Sequence, residues 1–210
     1  MLDLLQPTVN HRVTQQFGAR KFMKPYGPLG HRGLDMGAIQ PGLDGDQLFA
    51  VDDGWALYVE RNIPYYGDRL TIKLDNGLIA EYSHCKDIVV VEGSKVNMGQ
   101  VVAHMGNTDG GTRTSTATHV HFVLKRLGVK INPEPYLTIS YDEFMSLKDD
   151  FQVMQHKFVE VEDKILGLQG EITLLKANKV SAFKARKIAK RKANDKITKR
   201  VKKKALKSNK

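Results

Sequence analysis

The sequence predicts a mainly β fold, in which an antiparallel β-sheet or sandwich-like domain precedes a long C-terminal α-helical coiled coil. Over residues 46–126, short apolar runs alternate with clusters of Gly and Asp, as in an all-β domain. Within this region, Asn76 and Gly77 lie between two alternating runs, which is typical of a hairpin turn. From Phe144 onward, apolar residues recur every three or four positions, as in a coiled coil. The change of period near Ser140 separates a β domain from a helical region.

The β domain is predicted from strand-like runs that are bounded by turn residues. A chain of 210 residues, 41% of them apolar, can bury one sizeable core. The predicted strands lie at residues 48–51, 55–59, 70–74, 78–82, 88–91 and 100–106. We predict three regions: a β domain over residues 1–139, a coiled-coil helix over 140–176 and a Lys-rich tail over 177–210.

The helical region carries nearly five heptads. Positions a and d hold Phe144, Leu147, Phe151, Met154, Phe158, Val161, Ile165, Leu168, Ile172 and Leu175. Opposite charges occupy g positions and the e positions five residues on: Glu143 with Lys148, Lys157 with Glu162, and Glu171 with Lys176. This pattern favours a parallel homo-oligomer formed through residues 144–175. The alternative is one amphipathic helix folded back on the β domain, which does not explain the charge match.

The net charge of +10 is concentrated in the C-terminal tail. Residues 176–210 contain 16 Lys and Arg and one acidic residue, so that they carry +15 and the rest of the chain carries −5. The tail contains one aromatic residue, Phe183, and therefore has no platform for stacking on bases. We expect it to become helical on an anionic partner, with nucleic acid, anionic wall polymers and acidic membrane surfaces as the candidates.

The sequence shows none of the usual targeting signals. Its N-terminal segment lacks the basic region and the apolar run of a secretory signal, and no apolar stretch is long enough for a transmembrane segment. We therefore expect synthesis in the host cytoplasm without a signal peptide. Cys85 is the single cysteine, so that no intramolecular disulfide can form.

The first candidate motif is HRGLD at residues 31–35, an H-x-x-x-D in a Gly-rich setting. The flanking glycines and Pro28 indicate a loop that enters a strand. Side chains four residues apart on a strand share a face, so that His31 and Asp35 would lie together. By itself, this motif does not specify a metal site.

The second motif is THVHFVL at residues 118–124. Alternation along a strand places His119 and His121 on one face, about 7 Å apart, and directs three apolar residues into the core: Val120, Phe122 and Leu124. Two histidines on one face of an otherwise apolar strand are costly unless they bind a ligand. Catalytic zinc sites use three His or carboxylate ligands and leave a position for water. His31, Asp35 and one histidine of this pair are therefore the candidate ligands of one zinc ion.

Four ordered motifs resemble those of a known family. HRGLD, YSHC at residues 82–85, GNT at 106–108 and HVHF at 119–122 are similar to the motifs of lysostaphin-like zinc endopeptidases, which cleave peptide bridges in bacterial cell walls. FGAR at residues 17–20 is similar to the F-G-x-R that precedes the first ligand in that family. The resemblance covers roughly residues 10–136. It implies an antiparallel β-sheet scaffold with a groove walled by loops.

The resemblance also implies a role for each site residue. His31, Asp35 and His121 would bind zinc, and His84 and His119 would lie beside the metal as catalytic residues. Zinc polarises the scissile carbonyl and activates water, so that no Ser or Cys nucleophile is needed. Either His84 or His119 can accept a proton or hydrogen-bond the oxyanion, and the sequence leaves these two roles open.

The chain departs from the family pattern at two places. Cys85 follows His84 where a leucine is usual, and it is either an unwanted ligand or a small buried apolar residue. The frequent burial of Cys favours the second interpretation. The loop over residues 106–118 is longer and richer in Thr than in the family, and we expect it to shape the groove.

Other residues near these motifs have less specific interpretations. We expect Tyr65, Tyr66 and Asp68 to contribute to the groove, although ordinary loop packing explains the tyrosines equally well. The remaining histidines have no partner motif and are interpreted as structural or solvent-exposed: His11, His104 and His156.

The resemblance implies a zinc-dependent endopeptidase that hydrolyses the peptide cross-links of bacterial peptidoglycan. A cell-wall enzyme domain joined to an oligomerisation segment, without a secretion signal, suggests a bacteriophage lysin. We expect it to be virion-associated, as in a phage tail, or released to the cell wall as an endolysin. The alternative is an oligomeric virion structural or nucleic-acid-associated protein with an inactive endopeptidase-like domain. The presence of all five site residues favours the enzyme.

Overall fold

The computed structural model describes residues 3–19, 29–112 and 117–208, and side chains along the helix up to about residue 196. By its internal contacts the chain divides into two units, Met1–Asp149 and Asp150–Lys210. The first unit contains the β domain and the beginning of the long helix, and the second contains the rest of that helix. The two units are described separately below.

The β domain is one antiparallel sheet of short and long strands. In chain order the strands are β1 (Val13–Gln15), β2 (Leu34–Gly37), β3 (Gln47–Phe49), β4 (Gly54–Ile63), β5 (Gly67–Leu74), β6 (Ile79–Ile88), β7 (Lys95–Val96), β8 (Val101–Met105), β9 (His119–Arg126) and β10 (Val129–Ile131). The main path runs β1-β2-β9-β6-β5-β4-β7. Off this path, β10 pairs with β9, and β8 pairs with both β3 and β6. The predicted fold class is confirmed.

The β5–β6 hairpin has the predicted turn. Gly77 has a φ of 87°, a conformation that a residue without a side chain adopts at little cost. The Leu78 N–H donates to Oδ1 of Asn76 at 2.9 Å, as in an Asx turn. The register places Lys73 opposite Ile79, so that the two strands begin pairing directly after the turn.

The predicted strand at residues 88–91 is wrong beyond its first residue. Strand β6 ends at Ile88, and the chain then turns, with the Ser94 N–H donating to the Val91 carbonyl at 3.0 Å. Val89 and Val91 are exposed. The Val89 N–H still donates to the Val102 carbonyl at 3.0 Å, so that the run of β-branched residues leaves the sheet gradually before the turn.

Strand β9 has the predicted alternation. Val120, Phe122 and Leu124 are fully buried in the core, and the Phe122 ring lies 5.1 Å from that of Tyr82. The Tyr82 hydroxyl is also buried, donating to the Phe49 carbonyl at 2.9 Å. The core therefore fixes the face of β9 that carries the two histidines.

The long helix, α1 (Tyr141–Ser208), begins with a capping box. The Ser140 hydroxyl accepts from the Glu143 N–H at 3.2 Å, and the Glu143 carboxylate accepts from the Ser140 N–H at 3.0 Å. The Tyr141 ring stacks on Phe49 with a centroid distance of 4.2 Å. The first turn of the helix is thus fixed to the β domain, and Glu143, the first predicted g residue, serves as a cap.

Beyond its first turn, α1 carries the predicted apolar seam on an exposed surface. Nine seam residues are 48–65% exposed in the single chain: Leu147, Phe151, Met154, Phe158, Val161, Ile165, Leu168, Ile172 and Leu175. The backbone continues as helix past residue 177 into the basic segment. Within the part of the chain that the structure describes, no helix is apolar over a length that would cross a membrane. The predicted domain boundaries and the coiled-coil pairing stay predictions.

We expect Tyr82→Phe to lower the free energy of unfolding of the β domain by about 1–3 kcal/mol, because it leaves the Phe49 carbonyl without its buried donor. Urea unfolding, followed by the fluorescence of Trp55 in the presence of a chelator, measures this loss without a contribution from bound metal. Tyr58→Phe is the matched control, since Tyr58 is 52% exposed, and it should change stability by less than about 0.5 kcal/mol. Equal stabilities of the two variants would contradict this account of the core.

Candidate metal centre

Three side chains converge at the junction of β2 and β9. His31 lies in the loop before β2, while Asp35 and His121 are register partners on the two paired strands. Nε2 of His31 lies 2.9 Å from Nδ1 of His121 and 3.1 Å from Oδ1 of Asp35. Nδ1 of His121 lies 2.8 Å from the same carboxylate oxygen. Two imidazole nitrogens and one carboxylate oxygen therefore form a compact triangle.

The triangle fits a tetrahedral metal ion. Zinc with ligands at about 2.0–2.1 Å spaces its ligand atoms about 3.4 Å apart, so that the observed sides are slightly shorter than tetrahedral edges. His31 is fully buried, and Asp35 and His121 are 6% and 7% exposed. Among the described residues these three form a group of potential metal ligands. The ligand set predicted from the sequence is therefore brought together, and its donor chemistry is compatible with a metal.

The surroundings of His31 orient its ring. Nδ1 lies 3.1 Å from the Gln16 carbonyl, which can only accept a hydrogen bond, so that Nδ1 carries the proton and Nε2 presents its lone pair to the centre. The backbone of His31 donates to the Ala19 carbonyl and accepts from the Gly18 N–H at 2.7 Å. Gly18 and Ala19 of the FGAR motif thus hold the first candidate ligand in place through their backbone.

The protonation states of the two residues on paired strands suit metal binding. Burial, the largest influence, raises the pKa of Asp35, but its close contacts with the imidazoles of His121 and His31 outweigh it and bring the pKa well below its ordinary value. Burial lowers the pKa of His121, against the raising effect of Asp35. A carboxylate and a neutral imidazole are the forms that bind a metal ion.

His84 is placed beside the centre by a β-bulge. In the β5–β6 pairing, Asp68 faces Cys85 and Leu70 faces Tyr82, so that β6 has one extra residue here. His84 itself has a φ of 66°, which is costly for a residue with a side chain and re-aims the imidazole. Its ring centroid lies 6.1 Å from that of His121.

The GNT motif fixes the ring of His84. Nδ1 of His84 donates to the Thr108 carbonyl at 2.7 Å, and the Thr108 hydroxyl donates to the Cys85 carbonyl at 2.9 Å. Burial, followed by the neighbouring His119, lowers the pKa of His84 to about 4. His84 is therefore neutral at pH 7, with Nε2 free of the proton and able to accept one.

His119 completes the group of five. Its Nδ1 donates to the Ala117 carbonyl at 2.7 Å, which leaves Nε2 as the acceptor nitrogen, 4.0 Å from Oδ2 of Asp35. The ring centroids of His119 and His84 are 4.6 Å apart. The two predicted catalytic histidines thus lie together at one side of the ligand triangle.

Gly33 is a site residue that sequence reasoning missed. A β-carbon at this position would lie 2.5 Å from Cε1 of the His121 ring, so that only glycine allows this ring to approach β2 so closely. Its place inside HRGLD, between the two ligands of that motif, is the signal that marks it.

The residues expected to shape the groove have different environments. The Tyr66 ring lies 5.9 Å from that of His121, beside the centre. Tyr65 is 63% exposed, and Asp68 pairs with Arg61 at 2.7 Å and accepts from the Asn62 N–H. Tyr66 therefore borders the site, whereas Asp68 fixes the β4–β5 turn. Part of the predicted groove loop, residues 113–116, lies outside the described residues.

Cys85 is a buried apolar residue, as the favoured interpretation held. It is fully buried in the core cluster, and burial raises the pKa of its thiol to about 12. A protonated thiol is a poor metal ligand.

The other histidines lie outside the group of potential ligands. His104 pairs with Asp87 at 2.6 Å, and His156 is a highly exposed helix residue near Glu160. His11 is half-buried, and its burial lowers its pKa.

Comparisons with known proteins agree with this fold and site. Residues 29–133 match the model of peptidase family M23. Over 126 residues, the chain is 30% identical to the murein hydrolase activator NlpD of Escherichia coli K12, a match that covers 60% of this chain and 29% of NlpD. The chain therefore corresponds to less than a third of the length of that relative.

Solved structures show the same fold. A mutant catalytic domain of the prophage-encoded M23 protein EnpA from Enterococcus faecalis is 27% identical, with a TM-score of 0.51 over 63% of this chain and 95% of that one. The catalytic domain of lysostaphin from Staphylococcus simulans is 22% identical, with a TM-score of 0.52 over 61% and 92% of the two chains. The family match spans half of the chain and includes all five predicted site residues. The chain belongs to peptidase family M23.

Proposed function

We propose that this chain is a zinc-dependent endopeptidase that hydrolyses peptide cross-links of bacterial peptidoglycan, with one zinc ion per chain. The observation that carries the proposal is the buried triangle of His31, Asp35 and His121, with ligand atoms 2.8–3.1 Å apart. The name of NlpD refers to murein hydrolysis, and EnpA is described as an M23 protein. The name of NlpD supports peptidoglycan as the substrate.

The five residues divide into metal ligands and proton-handling groups. His31, Asp35 and His121 would hold zinc, which supplies a Lewis acid for the scissile carbonyl and lowers the pKa of water when bound. His84 and His119 each keep Nδ1–H on a backbone carbonyl, which leaves Nε2 as the nitrogen that can accept a proton. Each can therefore accept a proton from the attacking water or, once protonated, hydrogen-bond the oxyanion.

An alternative is a non-catalytic β domain in an oligomeric virion structural or nucleic-acid-associated protein. NlpD is named an activator, so that membership of the family does not require hydrolysis by every member. The retention of three ligands in ligating geometry, together with two oriented histidines, favours catalysis in this chain. The positive φ of His84 adds support, because strained backbone conformations cluster at functional sites.

We expect His121→Ala to lose both zinc and activity, because it removes one of three ligands, whereas His119→Ala should keep zinc and lose turnover by about 10²–10⁴-fold. Zinc per chain is measured by elemental mass spectrometry, and turnover by release of peptides from purified peptidoglycan. His104→Ala is the matched control, since its partner Asp87 lies outside the site, and both quantities should stay at the wild-type level. Full activity of either site variant would refute the assignment.

We propose that the apolar seam of α1 pairs with a second copy of the chain as a parallel coiled coil. Nine seam residues are exposed in the single chain, and the sequence places opposite charges at facing g and e positions, as in Lys157 with Glu162. Burial of such a stripe against its copy stabilises an oligomer at about 25 cal/mol per Å² of apolar surface removed from water. In the first predicted g–e pair, Glu143 with Lys148, the Glu143 carboxylate already caps the helix. The pairing therefore begins at Leu147.

We expect Val161→Asp to convert the full-length oligomer to a monomer, because residue 161 is a d position of the seam. Val159→Asp is the matched control: it makes the same change two residues away, at a b position of similar exposure, 53% against 51%. Sedimentation velocity at equal concentration compares the two variants. The same sedimentation coefficient for wild type, Val161→Asp and Val159→Asp would contradict the coiled coil.

The basic segment and the location of the protein complete the proposal. Residues 176–210 carry +15, and we propose that they contact an anionic polymer, either nucleic acid or a wall polymer. We further propose a phage lysin, virion-associated or released to the cell wall, and the prophage origin in the description of EnpA supports this. Mass spectrometry of purified virions distinguishes the two locations.

A further inference from the structure

Lys130 lies near the candidate metal centre, and it has no acidic partner among the described residues. Lys130 is on β10, where it pairs in register with Lys125 of β9. Because side chains alternate along β9, Lys125 shares a face with His121, and Lys130 as its cross-strand partner points to that same face. The side chain of Lys130 is half-buried rather than freely solvated.

Tyr66 connects Lys130 to the centre. The Lys130 ammonium lies 5.6 Å from the centroid of the Tyr66 ring, and this ring lies 5.9 Å from that of His121. The Tyr66 carbonyl accepts from the His84 N–H at 2.8 Å, so that the position of Tyr66 is fixed to the catalytic bulge. The two distances together place the Lys130 ammonium no more than 11.5 Å from the centroid of the His121 ring.

The charges around Lys130 are otherwise paired. Arg69, whose guanidinium also lies over Tyr66, is bound to Glu60 at 2.7 Å. Lys125 is bound to the buried Glu81 at 2.6 Å. Among the described residues, no carboxylate lies within 4 Å of the Lys130 ammonium, and the segments 20–28 and 113–116, outside the description, contain no Asp or Glu.

The contact that the structure describes for the Lys130 ammonium is the Tyr66 ring. This contact is weak enough that the ammonium can still bind an anion. A cation–π contact contributes about 0.5–1 kcal/mol, whereas a charge-assisted hydrogen bond to a carboxylate is about twice as strong as a neutral one. Tyr66 also restricts the motion of the Lys130 side chain, which lowers the entropy that binding would cost.

We propose that Lys130, held by Tyr66, binds a free carboxylate of the substrate peptide close to the scissile bond. This inference rests on the proposed function and specifies its substrate class. In a diaminopimelate cross-link, the carbon that bears the scissile nitrogen also bears a free carboxylate. In a glycine bridge, the corresponding carbon bears a neutral peptide carbonyl in place of a free carboxylate. Lys130 therefore selects cross-links of the first class.

The test compares two cross-linked muropeptide dimers that differ in one group: the diaminopimelate carboxylate is free in one and converted to a carboxamide in the other. We expect Lys130→Gln to lower kcat/KM on the free carboxylate by about tenfold or more, mainly through KM, because a charge-assisted hydrogen bond is lost. On the carboxamide, the change should be less than about twofold. Lys130→Arg should retain most of the selectivity, because it keeps the charge.

Lys95→Gln is the matched control, since it removes one positive charge at an exposed position of β7 and should leave both rates unchanged. Binding of the same dimers to zinc-free protein, measured by calorimetry, gives a second readout, with the same tenfold loss expected for Lys130→Gln on the free carboxylate alone. Wild-type protein that cleaves both dimers at equal rates, with Lys130→Gln unchanged, overturns the inference and leaves the proposed function intact. If wild-type protein cleaves neither dimer and no other peptidoglycan, the proposed function fails and this inference fails with it.

Discussion

The structure of the site depends on one constraint, the close approach of two imidazole nitrogens and a carboxylate oxygen in a buried position. His31, Asp35 and His121 point their ligand atoms at one another within 3.1 Å, and the Gln16 carbonyl holds the proton of His31 on the far side of its ring. Lone pairs that face one another out of contact with water are unfavourable unless a cation lies between them. The family membership of the chain agrees with a metal at this point.

Several features of the sheet follow from that constraint. The β2–β9 pairing places Asp35 directly opposite His121, and Gly33 leaves room for the His121 ring. Strand β6 pairs with β9 only as far as Ser83, and it pairs with β8 from Cys85 onward. His84 lies at this change of partner, where a bulge directs its imidazole to the centre. The placement of the five site residues is thus a result of strand register, with the loops contributing Thr108 and Tyr66.

The sequence was sufficient to predict the features that depend on local pattern. The hairpin at Asn76, the inward face of β9 and the five site residues each have a signal in residue type or spacing. The run at residues 88–91 was misread, because its β-branched residues are those of a strand while the chain turns after Ile88. The positive φ of His84 and the roles of Gly33 and Lys130 depend on cross-strand register between distant segments, which one sequence without relatives does not reveal.

The most direct test of the account is to digest a defined cross-linked muropeptide dimer with the purified full-length chain before and after removal of its metal. Products are identified by liquid chromatography with mass spectrometry, and the metal content of each sample is measured in parallel. The account predicts monomeric muropeptides from the untreated protein, no cleavage after chelation, and recovery on addition of one equivalent of Zn²⁺ but not of Mg²⁺. Cleavage at an unchanged rate by protein shown to be free of metal would contradict it.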